Sequence, residues 1–320
     1  MGIGRIHDKI VLVTRKTALD ELVERFNSRD HARFMLKNRG SSTDDIEAAH
    51  HVYYESLSRL RAAVPRDVRL QLIDRGFLPS FLFGRNDLIV TLGPDGLVVN
   101  TAKYLESQPI LAVNPDLQRI DGVLLPFSVN DACDEIDLAL HGACHHDSIT
   151  MAVARLDDGQ ELHAVNDLFI GRRTHVSARY QMRFRGAEEN QSSSGVIVST
   201  GAGSTGWFRS VVTGAAGVAE GFIKPKHIGD MRERYRFDAT AQELRFSVRE
   251  PFVSRTSSAE MIYGSIGAGE TLELVSQMPQ DGVIFSDGVE SDFLRFDSGT
   301  TARIGIAERK VNLLRPSDMR

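Results

Sequence analysis

Four residues between an apolar run and a helix-like segment have the types that phosphate chemistry uses: Gly93-Pro94-Asp95-Gly96, within DLIVTLGPDGLVVNTAKYL (87–105). Glycines let backbone amides approach an anion, and a helix starting there adds partial positive charge. Asp95 would then face a bound nucleotide. Turn chemistry alone also explains Gly93, Pro94 and Gly96, and Asp95 would equally cap a helix beginning near Gly96. The Gly-Lys-Ser/Thr of a P-loop is missing from this stretch. A second segment, SSSGVIVSTGAGSTGWFRSV (192–211), runs a strand into Gly201, Gly203 and Gly206, interleaved with Ser204 and Thr205, and then into a helix-like stretch carrying the only tryptophan, Trp207. Small residues permit close approach and hydroxyls offer hydrogen bonds to a polar ligand. Taken alone, it is a tight strand-to-helix turn.

These residues need a scaffold, and the chain is long enough for one. Its 320 residues, 42% hydrophobic, suffice for two domains with a substantial core. The formal charge of −5 argues against nucleic acid or an anionic membrane as main partner and favours a small molecule. No apolar run approaches the ~20 residues of a membrane span. The opening MGIGRIHDKIVLVTRKT lacks a secretory signal, and Ile6 breaks a myristoylation signal. Cys133 and Cys144, the only two cysteines, suit a reducing compartment, so the cytoplasm is expected.

Periodicity places the elements. KIVLVT (9–14), VRLQLI (68–73), DLIVTL (87–92) and PILAVN (109–114) read as strands. DDIEAAHHVYYESLSRL (44–60) repeats apolar residues at helical spacing, with Ser42 and Asp45 as a capping box. A further helix is expected through LVVNTAKYL (97–105). Strand, helix, strand at this spacing implies parallel pairing, with Asp95 at the C-terminal end of a strand, where open α/β sheets bind ligands. From about residue 148 the texture becomes strand after strand: ITMAVARL, AVNDLFIG, RYQMRFRG, GVIVST, LRFSVRE, TLELVS, GVIFSDG and ARIGIA. WFRSVVTGAAGVAEGF is the one helix candidate among them, and KPKHIGDMRERYRFD (224–238) reads as a solvated polar excursion. The fold class is therefore α/β plus β, an open Rossmann-like domain followed by a mainly-β, sandwich-like domain. The expected bounds are 1–145 and 146–305, with 306–320 a tail packing back on the first domain.

In this order, with VNDLFIG (165–171) between them, the two segments resemble the NAD kinases, most closely the mitochondrial-type branch. That family has a Gly-Gly-Asp-Gly loop after a strand, an Asn-Glu pair, a Gly-Ser-rich segment and a C-terminal Asp-Gly. The matching residues are Gly93 to Gly96, Asn166-Asp167, Gly201 to Trp207 and Asp287-Gly288. KIVLVTRKTALDEL, LAVNPDLQRIDGVLLPF, FSVREPFVSR and VIFSDGVESDFLRFDSG extend the likeness over most of the chain. The resemblance implies the two-domain fold shared with diacylglycerol kinase-like proteins. It also implies transfer of a phosphoryl group from ATP or polyphosphate to the adenosine-ribose 2′-hydroxyl of NAD, with a divalent metal, usually magnesium, and a homodimer or larger assembly.

On that reading Asp95 is the catalytic base for a poorly nucleophilic sugar hydroxyl, and amides around Gly93 and Gly96 hold the donor phosphates. By resemblance, Asn166 and Asp167 hold the acceptor dinucleotide. Thr200, Gly203, Ser204 and Thr205 line its adenine or ribose, and Trp207 supplies a stacking wall or joins the core. Arg249 would contact a phosphate or pair with an acid such as Glu250, while Asp287 is a second site carboxylate or a hairpin turn residue. Three departures from the family stand out. Pro94 deletes a backbone N–H, Leu97 replaces a common threonine, and Asp167 is one methylene shorter than glutamate. A lipid or other small-molecule kinase and a non-catalytic dinucleotide-binding regulator are the alternatives. CDEIDLALHGACHH does not have paired zinc-ligand spacing, so no side chains are assigned as metal ligands. His50 and His51 are expected to be solvated on their helix.

Overall fold

The computed structural model describes residues 4–38, 44–222 and 234–317. Two compact units divide the chain. The first runs to Asp147 and takes in the C-terminal residues from Asn312; the second is Ser148–Val311.

The first unit holds β1 (Lys9–Thr14), α1 (Ala18–Phe26), α2 (Arg29–Asn38), α3 (Asp44–Ala63), β2 (Arg69–Asp74), β3 (Asp87–Leu92), α4 (Asp95–Ala102), β4 (Pro109–Asn114), β5 (Phe127–Ser128) and α5 (Val129–Leu140). Its strands run parallel in the order β2-β1-β3-β4, with β5 and the C-terminal pair Asn312 and Leu313 also parallel to β4. Every residue of β3 is buried, as expected of a strand flanked on both edges and covered on both faces. That is why DLIVTL reads as unbroken apolar sequence. β2 pairs only with β1 and is largely exposed, which accounts for its weaker alternation. In α3, Tyr53, Ser56 and Leu60 form the buried stripe at steps of three and four. Ser42, named for the cap of this helix, lies outside the described residues.

Two expectations are corrected here. α4 stops at Ala102 instead of running to Leu105. His50 is not solvated: its side chain is 16% exposed, and its ring nitrogens meet the Thr17 hydroxyl at 2.7 Å and Arg29 at 3.1 Å. His51 is exposed. In the Cys/His segment, the Cys144 thiol lies 3.9 Å from Glu135, and burial with that carboxylate pushes its pKa up to about 11.

The second unit is a sandwich of antiparallel sheets. β6 (His146–Leu156), β7 (Glu161–Ala164), β9 (Ala178–Phe184), β10 (Ala187–Ser193), β14 (Leu272–Ser276) and β17 (Thr301–Leu314) supply one layer. The other is a six-stranded sheet in the order β13 (Tyr263–Gly267), β12 (Glu243–Val248), β11 (Val196–Ser199), β8 (Asp167–Arg172), β15 (Gly282–Ser286), β16 (Val289–Arg295). Alternate residues of both sheets meet in one core, including Leu168, Ile170, Tyr180, Met182, Phe246 and Leu274. β8 and β11 are buried on both faces because α6 (Trp207–Glu220) packs over their outer side, where Phe169, Ile197 and Val283 form a smaller cluster with Trp207 and Val211.

β7, β10, β13 and β16 are strands that the apolar runs did not reveal. β10, AEENQSS, turns Gln191 and Ser193 inward, and the buried Tyr180 hydroxyl satisfies both at 2.9 and 2.8 Å. A polar strand whose inward groups are hydrogen-bonded leaves little hydropathy signal. Most of the polar excursion 224–238 lies outside the described residues.

Candidate active site

The loop that follows β3 is built by its neighbours. The Gly93 N–H donates to the Val113 carbonyl on β4 at 3.3 Å, and a Cβ on Gly93 would stand 2.9 Å from Leu97 Cδ2. Pro94 occupies the N-cap position of α4 with no side-chain cap, and the Leu97 N–H donates back to its carbonyl at 2.8 Å. Asp95 therefore does not cap α4; it is the first helical residue. Its Oδ1 accepts the Leu124 amide at 2.5 Å, which orients the carboxylate and leaves Oδ2 as the acceptor for other partners. Gly96 is exposed, and a Cβ added there would meet nothing within 4 Å. The fold itself thus does not require glycine at that position.

Amides available to an anion are fewer than the sequence suggested. Gly93 spends its N–H on β4, Pro94 has none, and Leu97 bonds within the turn. The first-turn amides of Asp95 and Gly96 remain, which no helix start can satisfy internally. The Gly93 role is corrected accordingly: it shapes the loop and does not donate from it.

In the second unit the residues singled out by sequence converge on one corner. Asp287 and Gly288 both have positive φ, 55° and 70°, at the tight turn between β15 and β16. The Asp287 carboxylate accepts the amides of Val165 at 3.2 Å, Asn166 at 2.7 Å and Asp167 at 3.2 Å, and its own N–H donates to the Asp167 carbonyl at 2.9 Å. Asp287 is therefore a clamp on the Asn166-Asp167 backbone. From the other side, the Thr200 N–H donates to the Asn166 carbonyl at 2.9 Å. The Thr200 hydroxyl donates to the Val165 carbonyl at 2.5 Å and accepts the Gly203 amide at 3.1 Å. A Cβ on Gly203 would stand 2.0 Å from the Asn166 carbonyl oxygen, and one on Gly201 would be 1.9 Å from that of Asp238. Ser204 donates to the Gly201 carbonyl at 2.7 Å. Thr200 and Ser204 are fully buried, so the hydroxyls offered to adenine or ribose are committed to main chain. Asn166 and Thr205 are half-buried, whereas Asp167 is buried at the start of β8.

Trp207 is neither wholly core nor free. It stacks on Phe169, centroids 5.5 Å apart and planes 15° apart, and Phe285 stacks on Phe169 at 4.8 Å. The Arg249 guanidinium lies 5.4 Å from the Trp207 ring and also pairs with Glu250 at 3.6 Å. These groups border a cleft of about 310 Å³ whose rim also carries Arg172 and Arg173. Phe169, Phe285 and the two arginines were missed in the sequence. The available signal was the apolar run Leu168 to Gly171, since a strand with no alternation of polar residues must bury its second face as well.

Comparison with known proteins brings the two halves under one description. No family model matches. The rat mitochondrial NAD kinase 2 is 22% identical over 78% of this chain and 75% of its own length. The NAD kinase of Methylococcus capsulatus is 31% identical over 41% of this chain, a match spanning about half, 47%, of the bacterial protein. In sequence the chain is similar to these NAD kinases. Solved structures agree on the fold. Yeast NADH kinase complexed with NADH superposes with a TM-score of 0.58 at 14% identity, covering 97% of this chain and 84% of that one. An NAD kinase from Archaeoglobus fulgidus in complex with ATP gives 0.56 at 17% identity, covering 96% and 94%. With the NAD kinases this chain shares a mixed α/β unit followed by an antiparallel β unit. Among the described residues no three His, Cys, Asp or Glu side chains converge as a metal site, and no helix is long and apolar enough to cross a membrane.

Proposed function

We propose that this protein transfers a phosphoryl group from ATP, or polyphosphate, to the 2′-hydroxyl of the adenosine ribose of NAD, giving NADP. The observation that carries the reading is Asp95: a carboxylate fixed through Oδ1 by the Leu124 amide, at the C-terminal end of a wholly buried parallel strand, beside a glycine the fold does not need. Asp95 Oδ2 takes the hydroxyl proton as the ribose oxygen bonds to phosphorus and the bond to the departing ADP oxygen breaks. Phosphoryl transfer depends mainly on positioning and charge stabilisation, so the first-turn amides of Asp95 and Gly96 serve the donor phosphates. The clamped corner of Asn166 and Asp167 holds the acceptor ribose, with Thr205 beside it, while Gly203, Thr200 and Ser204 fix the corner. Trp207 stacks against the dinucleotide and Arg249 meets its phosphates.

Magnesium keeps several waters and binds substrate phosphates with few protein carboxylates. The donor set here, one loop carboxylate and no three-ligand cluster among the described residues, fits an ion carried by the phosphate oxygens of ATP. Bound there, it would neutralise charge on those oxygens. We also propose a homodimer or larger assembly in the cytoplasm. Unpaired Cys133 and Cys144 favour a reducing compartment, and the name of the rat relative makes the mitochondrion the competing location that cell fractionation decides.

Purified protein with NAD, ATP and magnesium is expected to accumulate NADP, read by an NADP-specific dehydrogenase. No NADP with ATP or polyphosphate, while NAD binding persists, would replace the reading with a binding role. Phosphorylation of diacylglycerol instead would make it a lipid kinase.

A further inference from the structure

The ends of β1 and β3 lie side by side, since the two strands run parallel with Val13 opposite Thr91. Arg15 follows β1 as Gly93 follows β3. The buried Tyr53 hydroxyl ties them together, accepting the Arg15 N–H at 3.0 Å and donating to the Leu92 carbonyl at 3.3 Å. Arg15 Cδ lies 3.5 Å from the point where a Cβ on Gly93 would stand. The Arg15 Nε donates to the Lys16 carbonyl at 3.0 Å, and among the described residues its terminal nitrogens have no hydrogen bond or ion pair. Neighbouring Lys16, in contrast, is paired with Glu24. So a guanidinium with open donors stands against a loop whose own amide supply is short by Gly93, Pro94 and Leu97.

We infer that Arg15 is a donor-phosphate contact, its guanidinium binding non-bridging oxygens of the ATP polyphosphate in place of the amides this loop lacks, with Tyr53 as a positioning residue. The inference rests on the phosphotransferase reading and adds a residue to its donor side. Guanidinium suits the task because its planar fork meets two oxygens of one phosphate.

Arg15→Met and Arg15→Lys, checked for folding by circular dichroism, test it in two ways. Steady-state kinetics with ATP and NAD varied separately should show the ATP KM of Arg15→Met raised about tenfold or more, with Arg15→Lys intermediate and the NAD KM within about twofold, because one lost charge-assisted contact weakens only the ligand that made it. Tyr53→Phe should raise the ATP KM less and leave the NAD KM alone. An unchanged ATP KM, or equal rises in both KM values, overturns the assignment. Calorimetric titration of ATP without NAD separates this inference from the kinase reading. If the unsubstituted protein makes no NADP, the reading fails, yet weaker ATP binding by Arg15→Met still supports the contact, and equal binding overturns it.

Discussion

The loops after β3 and after β11 look alike in sequence, each a glycine-rich turn from a buried strand into a helix, yet their glycines answer to different forces. In the second, Gly201 and Gly203 are demanded by the fold: a Cβ at either would stand 1.9 or 2.0 Å from a carbonyl oxygen that backbone packing cannot release. In the first, Gly93 is confined by the Leu97 side chain, 2.9 Å from where its Cβ would stand, whereas a Cβ on Gly96 meets nothing within 4 Å, so the fold makes no demand for glycine at that position. One loop is a packing joint that holds Asn166 in place. The other is an open surface beside a fixed carboxylate.

The largest expected effect separates chemistry from scaffold. Asp95→Asn keeps an oxygen for the Leu124 amide but loses the base, so kcat should fall by ~10²–10⁴ with melting temperature and NAD binding little changed; an undiminished kcat breaks the contrast. Next comes the packing joint. Gly203→Ala forces a methyl onto the Asn166 carbonyl and should cost about 3 kcal/mol, a fall of roughly 6–12 °C in thermal melting. Smaller is the alkaline effect of Tyr53, whose phenol burial pushes up to about 12 from an ordinary value of 10.0. The folded chain keeps this proton longer than the unfolded chain. Its stabilising contribution is therefore intact below pH 10 and lost as pH rises toward about 12, at about 1.4 kcal/mol per unit. Tyr53→Phe should flatten the loss of denaturation midpoint over that window, while Tyr180 and Cys144, both also pushed up by burial, contribute to the alkaline loss that remains. Least in stability is Gly96→Ala, expected to be neutral or to stabilise by ~0.5–1 kcal/mol as alanine favours the helix. Its ATP KM should nevertheless rise. A destabilised Gly96→Ala would erase the distinction between the loops.

What the sequence made legible follows from local physics. DLIVTL and PILAVN announced themselves because central parallel strands are buried on both faces and so run nearly continuously apolar. Asp95, Asn166 and Asp287 stood out only through the resemblance of their segments to an ordered set of motifs. Illegible were features that exist only once distant segments meet. β10 is polar because Tyr180, from the adjacent strand, satisfies its inward side chains. Neither the Tyr53 bridge between Arg15 and Leu92 nor the Asp287 clamp has a local signature, for each joins a side chain to backbone far along the chain. The main-chain bonds of the Thr200 and Ser204 hydroxyls were hidden for the same reason: a hydroxyl that faces a ligand and one that ties down main chain read identically in sequence.

The central claim is phosphorylation of NAD at the adenosine ribose, and ³¹P NMR of a reaction with NAD, ATP and magnesium tests it most directly. A 2′-phosphomonoester resonance growing with enzyme and time, as ADP appears in equal amount, is the result expected. ATP and NAD spectra that stay unchanged, with NAD still bound by the protein, would contradict it.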